Sequence, residues 1–594
     1  MGYFINPVNF EDLSARNLLH CPDLSVNSGN LDQIASSIMK NLKPGLIIVD
    51  GYIASQIDKL GALLGEKLQV QTRKAEEFWI SQSESEDLIK DYLPQNKEID
   101  PNLIFAKLFN GKLEQFFDRQ KADSFINSLD TSQTTVLYGI GASSDYFLNK
   151  ASTLIFVDCT PFQSALRLLA KEYTPLGGQV FSGSDELIRQ VYSIDLELVV
   201  KNRRKLLQGD LVNFYVSDQG PDNFRLLNYA DLLKVAKSIA SGPIRPKPIY
   251  IEGVWGGQYI KRIRQIPDSV VSKVAWSFEL IATEASVAMD VGEVYLDLPF
   301  LTLMDLVGEK MVGAEDYERY KGYLPVRFNY DDTWHSNGNM SIQCHPNDEM
   351  AQNLYNDFAG QSEGYYIVVA GQKSKTFCGF KADGRKFLEL AKKSETTGAQ
   401  IDYEKYINAV ESIPGRQFFL PPGTVHSSGR NQLVLEIGSL TISAYTYKIY
   451  DYARMDITGK PRPIHTKLSE RALRFERDTD FVKNNLVFDP INPVENQSES
   501  KKYSLGKSKL VPFTTAQIEV RAGGTYAGNT AGRFVCLALV DGESAKIVSS
   551  ADSERCYHAR YLDVVFLPAS LGEYSVEAGS DQPIILHETR LAGD

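Results

Sequence analysis

The sequence MSIQCHPND, residues 340–348, decides the fold of the region around it. Gln343 and His345 are two positions apart, and alternate side chains of a β-strand point to the same face. On a strand, the amide oxygen of Gln343 and an imidazole nitrogen of His345 would therefore project into one cavity. Cys344 lies between them and should face away from that cavity.

Two further polar side chains stand in similar surroundings. Glu363 opens a strand-like run at residues 365–370, and His426 follows a Pro-Pro-Gly turn out of a predicted strand at residues 417–420. Two imidazoles, a carboxylate and an amide oxygen suit a divalent metal such as zinc, with one position open for water or substrate. A histidine in a strand is more often structural, so spacing alone leaves the metal site and a structural role both open.

Motifs of this region resemble, in the same order, those of the type I phosphomannose isomerase family, a family of zinc-dependent cupins. The resemblance covers about residues 245–460. The matching stretches are W-G-G at 255–257, Q-x-H-P-x-D at 343–348, the glutamate before an aromatic strand at 363, P-x-G-T-x-H at 421–426, L-E-I at 435–437, and Y-K-I-Y-D-Y at 447–452, where the family has Y-R-x-Y-D-Y.

The resemblance implies a metal-dependent aldose–ketose isomerase that interconverts mannose 6-phosphate and fructose 6-phosphate by proton transfer through an enediolate. It implies one Zn²⁺ per chain, bound by Gln343, His345, Glu363 and His426. We expect Glu436 and Lys448 to be the catalytic residues, with Glu436 near the position of the base. Orientation of a metal ligand is the alternative role for Glu436, and the sequence leaves the two roles open.

Two positions depart from the family's pattern. Lys448 stands where members usually have Arg, and it keeps the positive charge but not the planar, bidentate guanidinium. Gln361 stands where members usually have Lys. We expect Gln361, Arg454 and Trp255 to bind the substrate. Arg454, or the basic run at residues 261–264, could compensate for the altered charges by binding a phosphate.

These departures keep a second class of function open, namely a metal-containing sugar-binding or regulatory protein without turnover. An isomerase that acts on a different sugar is a further alternative. Because the set of metal-ligating residues is complete, we expect an enzyme.

The composition sets the limits of this interpretation. The chain has 594 residues, a net charge of −12 and 43% hydrophobic residues, so it is long enough for several globular domains. The acidic balance disfavours a nucleic-acid partner, and no run of about 18 apolar residues predicts a membrane span. Six scattered cysteines are typical of reduced thiols in the cytoplasm. We therefore expect a cytoplasmic monomer or homodimer whose partner is a small-molecule sugar phosphate.

Residues 1–243 have the alternating strands and helices of a mostly parallel α/β domain. A strand at residues 46–50, Gly51 and a helix at residues 55–68 resemble the opening of uridine-kinase-like P-loop proteins. The loop lacks the Gly-Lys-Ser/Thr end that binds phosphates and Mg²⁺, so we expect a degenerate scaffold domain. A nucleotide sensor is the weaker alternative. A further strand is predicted at residues 211–216.

The rest of the chain is predicted to form two β-rich domains, which makes the fold class multidomain α/β plus β. Residues 249–465 are expected to be a metal-binding cupin domain (a β-barrel or jelly roll) with a helical insert, and residues 466–594 a second cupin-like domain. His558 and His587, in the second unit, are not expected to be ligands. Helices are predicted at residues 296–325, 385–393 and 403–412, and C-terminal strands at 517–521, 534–540, 545–548, 564–567 and 584–586.

Overall fold

The computed structural model describes residues 7–19, 21, 24–130, 132–455 and 461–593. It is a mixed α/β protein built from several sheets. Within the described ranges, every helix is too short or too polar to cross a membrane.

The N-terminal region forms an α/β sheet whose helices cover both faces. Its strands are β1 (Asn17–Leu19), β2 (Asn27–Gly29), β3 (Leu46–Gly51), β4 (Gln71–Lys74), β5 (Thr135–Tyr138), β6 (Ala151–Cys159), β7 (Phe214–Asp218) and β8 (Phe224–Asn228). Its helices are α1 (Leu31–Met39), α2 (Ile57–Leu68), α3 (Gln82–Ile89), α4 (Arg119–Ser128), α5 (Asp145–Leu148), α6 (Pro161–Leu169), α7 (Ser184–Gln190), α8 (Leu196–Gln208) and α9 (Tyr229–Ile239).

This sheet has the strand order β2-β8-β7-β6-β3-β5-β4, and β4, β5, β3, β6 and β7 run parallel. Every residue of β3 is buried, as a strand covered by helices on both faces requires. The strand predicted at residues 211–216 begins three residues later, at Phe214. Leu211 is 40% exposed and follows Asp210, whose φ of 51° turns the chain out of helix α8. β1 leaves this region and pairs with β11 of the next one.

The middle region contains two large sheets, two strands of a third sheet that β1 completes, and the connecting helices. Its strands are β9 (Ile249–Ile251), β10 (Trp276–Leu280), β11 (Ser286–Val291), β12 (Val294–Pro299), β13 (Val326–Asp332), β14 (Ile342–Cys344), β15 (Glu363–Ala370), β16 (Lys375–Phe380), β17 (Ile407–Glu411), β18 (Gln417–Leu420), β19 (His426–Ser428), β20 (Gln432–Ser439), β21 (Tyr447–Tyr450) and β22 (Val487–Phe488). Its helices are α10 (Tyr259–Ile263), α11 (Phe300–Val312), α12 (Ala314–Arg319), α13 (Asp348–Tyr355), α14 (Gly384–Thr397), α15 (Thr466–Ala472) and α16 (Thr479–Asn485).

The larger of these sheets has the order β22-β18-β15-β20-β13-β10-β9, and the smaller has the order β17-β16-β19-β14-β21. The two sheets face each other, because Glu363 at the start of β15 meets His345, which follows β14, and His426 at the start of β19. A separate apolar core lies under the smaller sheet and includes Ile342, Cys344 and Tyr447. Cys344 is thus buried away from the cavity between the sheets, as the period of two predicts.

One helix prediction in this region is wrong, and the mainly helical segment predicted at residues 296–325 is confirmed except at its start. Residues 403–412 form a 3₁₀ turn, Tyr403–Lys405, and then strand β17, which pairs with β16 at the edge of the smaller sheet. The β-branched Ile407 and Val410 favour this extended pairing over a helix. Residues 296–299 belong to strand β12, because they pair with β11 in a hairpin, and the helix starts only after Pro299.

The C-terminal region is a sandwich of two antiparallel sheets. Its strands are β23 (Pro493–Asn496), β24 (Ser500–Ser504), β25 (Phe513–Val520), β26 (Thr525–Asn529), β27 (Val535–Asp541), β28 (Ser544–Ser549), β29 (Cys556–Arg560), β30 (Val564–Leu567), β31 (Glu573–Ala578) and β32 (Ile584–Leu591). The sheet orders are β23-β24-β25-β32-β27-β30 and β26-β31-β28-β29, and they enclose an apolar core that includes Ile518, Leu537 and Val576. The five predicted strands fall on β25, β27, β28, β30 and β32.

A buried charge cluster joins the three regions. Arg245 has no solvent exposure, and it forms ion pairs with Glu279 of β10 at 2.9 Å and with Asp563, which precedes β30, at 3.0 Å. Its backbone exchanges two hydrogen bonds with the side chain of Asn17 in β1. Arg264, from the basic run at residues 261–264, also binds Asp563 at 3.0 Å. That arginine therefore ties regions together and does not face the cavity between the sheets.

Candidate metal centre and surrounding cavity

Three predicted ligands meet between the two middle sheets. His345 follows β14, His426 begins β19 and Glu363 begins β15, and all three are buried. The Nε2 atoms of the two histidines are 3.2 Å apart. Glu363 Oε1 lies 3.2 Å from His345 Nε2, and Glu363 Oε2 lies 3.3 Å from His426 Nε2. Among the described residues, this is the cluster of His, Cys, Asp and Glu that could hold a metal ion.

The backbone fixes which histidine nitrogens face the centre of the cluster. His345 Nδ1 is 3.0 Å from the carbonyl oxygen of Tyr445, and His426 Nδ1 is 2.9 Å from that of Thr424. Because a carbonyl only accepts hydrogen bonds, each Nδ1 carries the proton and each Nε2 presents a lone pair. Burial lowers the pKa of His345, which keeps its imidazole neutral.

The cluster is therefore a set of acceptors that point at one another. Glu363 Oε2 is buried and makes no hydrogen bond within the described part of the chain. Gln343 adds an amide whose nitrogen is placed 3.5 Å from His426 Nε2, and rotation of the amide exchanges it for the oxygen. Ligands about 2.1 Å from a tetrahedral zinc lie about 3.4 Å apart, which matches these spacings. The donor set and its geometry fit Zn²⁺.

Two donors hold the carboxylate of Glu363 from the other side. Gln361 Nε2 donates to Glu363 Oε1 at 2.6 Å, and Arg327 Nη2 donates to the same oxygen at 3.1 Å. The neutral Gln361 thus contacts a metal ligand, and Arg327 supplies the positive charge beside it.

A second carboxyl group, Glu436, lines the same cavity from β20. Burial and the nearby Glu363 raise the pKa of Glu436 to about 7. Burial, together with the nearby Glu436, raises the pKa of Asp331 on β13 as well. At neutral pH, Glu436 is therefore close to the point where it can both take up and release a proton.

The cavity opens to solvent and has a volume of about 870 Å³ including its mouth. Trp255 lines it and packs edge-on against Trp276, with ring centroids 4.5 Å apart. Lys448 of β21 lines it too, and burial together with Arg462 lowers the pKa of Lys448 to about 8. Lys448 has no ion-pair partner among the residues that the structure describes.

Arg454, which was expected to bind the substrate, does not line the metal cavity. It lines a separate cavity with Asn339, Tyr403 and Arg430, and it is ion-paired with Asp451. Arg462 lines the metal cavity instead, and it binds the other oxygen of Asp451 at 3.0 Å.

Sequence reasoning missed three charged residues that line the metal cavity, namely Arg327, Glu284 and Arg462. Burial raises the pKa of Glu284 to about 8. A signal for Arg327 was available in strand β13, where Arg327, Asn329 and Asp331 alternate with apolar residues. Polar residues on one face of a fully buried strand indicate a polar cavity on that face.

The loop that resembles a phosphate-binding loop is filled by the chain's own carboxylates. Asp50 accepts hydrogen bonds from the backbone N–H groups of Gly51, Gly141 and Ser143, at 2.8, 3.1 and 2.9 Å. At the start of α2, the N–H of Gln56 donates to Asp218 at 3.1 Å. The backbone donors that a phosphate would use are therefore already satisfied.

Comparison with known proteins found one matching family model and several relatives. The family model described as "Domain of unknown function (DUF8485)" matches residues 30–241. Mannose-6-phosphate isomerase ManA of Bacillus subtilis (strain 168) is 26% identical over 356 residues, which are 58% of this chain and 98% of that protein. A crystal structure of the mannose 6-phosphate isomerase from Bacillus subtilis covers 59% of this chain and 99% of its own, at 18% identity and a TM-score of 0.45.

The probable mannose-6-phosphate isomerase GmuF of Bacillus subtilis (strain 168) is 30% identical over 256 residues, which are 42% of this chain and 72% of that protein. With this identity over most of GmuF, the chain belongs to the mannose-6-phosphate isomerase family.

Proposed function

We propose that this protein is a metal-dependent aldose–ketose isomerase that interconverts mannose 6-phosphate and fructose 6-phosphate. The observation that carries the proposal is the convergence of two imidazole Nε2 atoms and a carboxylate, all acceptors, within 3.3 Å of one another. Glu363 of this cluster lines a cavity that also contains the carboxyl group of Glu436 and the cations Lys448 and Arg462. We infer the identity of the sugar phosphate from the names of the relatives.

One zinc ion per chain would be bound by Gln343, His345, Glu363 and His426. When bound, it supplies a Lewis acid that polarises the substrate carbonyl and orients the neighbouring hydroxyl. Gln361 and Arg327 hold the carboxylate of Glu363 in place for this role.

Glu436 transfers the proton. As a carboxylate it takes the proton from C2 of the aldose, and as a carboxylic acid it delivers that proton to C1 of the enediolate. Its pKa of about 7 suits both directions near neutral pH. Asp331, buried beside Glu436, orients the carboxyl group.

The phosphate binds at the other side of the cavity, to Lys448 and Arg462. Lys448 is free of ion pairs within the described residues, whereas Asp451 holds Arg462 in position. Trp255 and Trp276 form the apolar wall along which the sugar lies. Arg454 contributes indirectly, through its ion pair with Asp451.

The proposed layout of the chain has three parts. Residues 1–243 form a degenerate kinase-like domain, residues 249–465 the metal-binding cupin domain with helix α14 as its insert, and residues 466–594 a second cupin-like domain. His587 of the last part is buried and bound to Gln417, which supports a structural role. The protein acts on small molecules in the cytoplasm, as a monomer or homodimer, without a nucleic-acid partner.

The test is a coupled isomerase assay on mannose 6-phosphate, with the metal content measured on the same sample. We expect turnover that is lost with a chelator and restored by zinc. The neutral Gln361 and the replacement of Arg by Lys448 favour a second candidate, a sugar-binding protein without turnover. A zinc-loaded sample that binds sugar phosphates and converts none of them would establish that candidate.

A further inference from the structure

We propose that Arg327 is a catalytic residue, whose guanidinium contacts the substrate and stabilises the oxyanion of the enediolate. The inference rests on the proposed isomerase function, and it assigns a role to a residue that the sequence motifs do not contain.

The strand register places Arg327 between the metal centre and the base. Arg327 on β13 lies opposite Gly438 on β20, and Gly438 lies opposite Glu363 on β15. Arg327 Nη2 is 3.1 Å from Glu363 Oε1 and 3.7 Å from Glu436 Oε1. The guanidinium therefore borders both the proposed metal ligand and the proposed base.

Gly438 provides the space for this side chain. A Cβ atom at position 438 would lie 2.4 Å from Arg327 Nε and 2.9 Å from its Cγ, closer than real Cβ atoms approach other atoms. Any other residue at this position would displace the arginine stem. The glycine on β20 thus leaves the space that the arginine side chain on β13 occupies.

Arg327 also keeps unused donor capacity. Its side chain is only 10% exposed, and its Nε is buried without a hydrogen-bond partner in the described part of the chain. It lines the metal cavity. A buried guanidinium with spare N–H groups is costly unless it meets an acceptor, and an oxyanion formed during the reaction is such an acceptor.

The reaction places negative charge at this point. Glu436 removes the proton from C2, the electrons of that C–H bond form the C1=C2 double bond, and the carbonyl electron pair moves to O1. An N–H of Arg327 donates to that oxyanion. The O2 proton then passes to O1, Glu436 returns its proton to C1, and the ketone forms at C2, so no other reactant is needed.

The experiment compares Arg327→Gln, Arg327→Lys and Gly438→Ala. We expect Arg327→Gln to lower kcat on the order of 100-fold, with KM changed only a few-fold and zinc content unchanged. Arg327→Lys should recover part of the loss. Gly438→Ala should lower kcat because its Cβ displaces the arginine stem, although every charged side chain is still present. The matched control is Arg416→Gln, which removes another largely buried arginine, one that pairs with Asp489 outside the cavity.

Two results would overturn the inference. One is a kcat of Arg327→Gln within threefold of the unaltered protein, and the other is a loss of activity that follows loss of zinc. Binding of a five-carbon aldonate 5-phosphate, which mimics the enediolate, separates this inference from the proposed function. If the unaltered protein shows no turnover but binds the mimic and Arg327→Gln weakens that binding at full zinc content, the contact holds and the isomerase proposal fails. If the unaltered protein neither converts mannose 6-phosphate nor binds the mimic, both fail.

Discussion

Two buried carboxylates, Asp50 and Glu363, stand at strand ends in different halves of the molecule, and they have opposite surroundings. Both oxygens of Asp50 accept hydrogen bonds from the chain itself, from Gly51, Gly141 and Ser143. One oxygen of Glu363 faces an imidazole lone pair and has no donor within the described residues. A site that can take a ligand leaves acceptors unmatched, whereas a closed site satisfies them internally.

This difference explains why the region around Glu363, the open half, has an open site. The N-terminal region around Asp50, the closed half, resembles a nucleotide-binding fold that lacks the groups that bind phosphate and Mg²⁺. The amide donors around Asp50 have the arrangement that binds anions, but a carboxylate of the chain occupies them. The acceptors around Glu363 are satisfied only by a cation from outside. Buried polar groups therefore distinguish the two halves better than the fold does.

The strongest test of the comparison is removal of a ligand from the open half. His426→Ala should lower turnover on the order of 1000-fold and abolish stoichiometric zinc, because a ligand pointing at the centre is lost. Metal analysis and the isomerase assay on the same sample measure both effects. His558→Ala, at an exposed histidine, is the control and should change neither. Full zinc content in His426→Ala would show that the acceptors are not a metal site.

The pH dependence sharpens the description of the open half. Lys448 has a pKa of about 8, so its side chain carries a positive charge below that pH and loses its proton, and the charge with it, above that pH. KM for the sugar phosphate should rise by up to about tenfold per pH unit above pH 8, because the phosphate loses a cation. In Lys448→Arg, the guanidinium stays charged and KM should stay flat to about pH 10. A KM that rises equally in both proteins would remove Lys448 from the phosphate site.

The closed half is tested by removal of the carboxylate that occupies its backbone N–H groups. Asp50→Ala leaves three buried N–H groups without their acceptor, and it should lower the free energy of unfolding by about 2–4 kcal/mol. Millimolar inorganic phosphate should then raise the Tm of this variant, while ATP or phosphate leaves the Tm of the unaltered protein unchanged. Asp58→Ala, at an exposed position of α2, is the control. A Tm increase of the unaltered protein with ATP would mean that the N-terminal edge is open.

The positions of the proposed metal ligands could be predicted because their signals are local. Gln343 and His345 need only the period of a strand, and His426 needs only the turn before it. The structure brings them together with Glu363, and it places Trp255, Gln361, Glu436 and Lys448 around the same cavity. Their roles in binding and catalysis stay predictions.

Other features depended on contacts that the local sequence does not contain. Arg327 reaches the cavity through the register of β13 on β20, more than 100 positions along the chain. The closure of the N-terminal loop needs Gly141 and Ser143, which are 91 and 93 positions from Asp50. Residues 407–411 became a strand because β16 offered a free edge. In each case, tertiary pairing decided between structures that local propensity allowed.

The buried cluster at Arg245 limits how this protein can be divided. Its partners, Glu279 and Asp563, come from two different β-rich regions, and Asn17 joins them from the N-terminus. A gene cut in the linker before Arg245 would remove Asn17, and one cut before residue 466 would remove Asp563, leaving Arg245 with part of its partners in the interior. The parts resemble independent modules in sequence, but the isomerase half is not a portable unit. A shortened gene that keeps every proposed metal ligand would still lack one of the buried partners of Arg245.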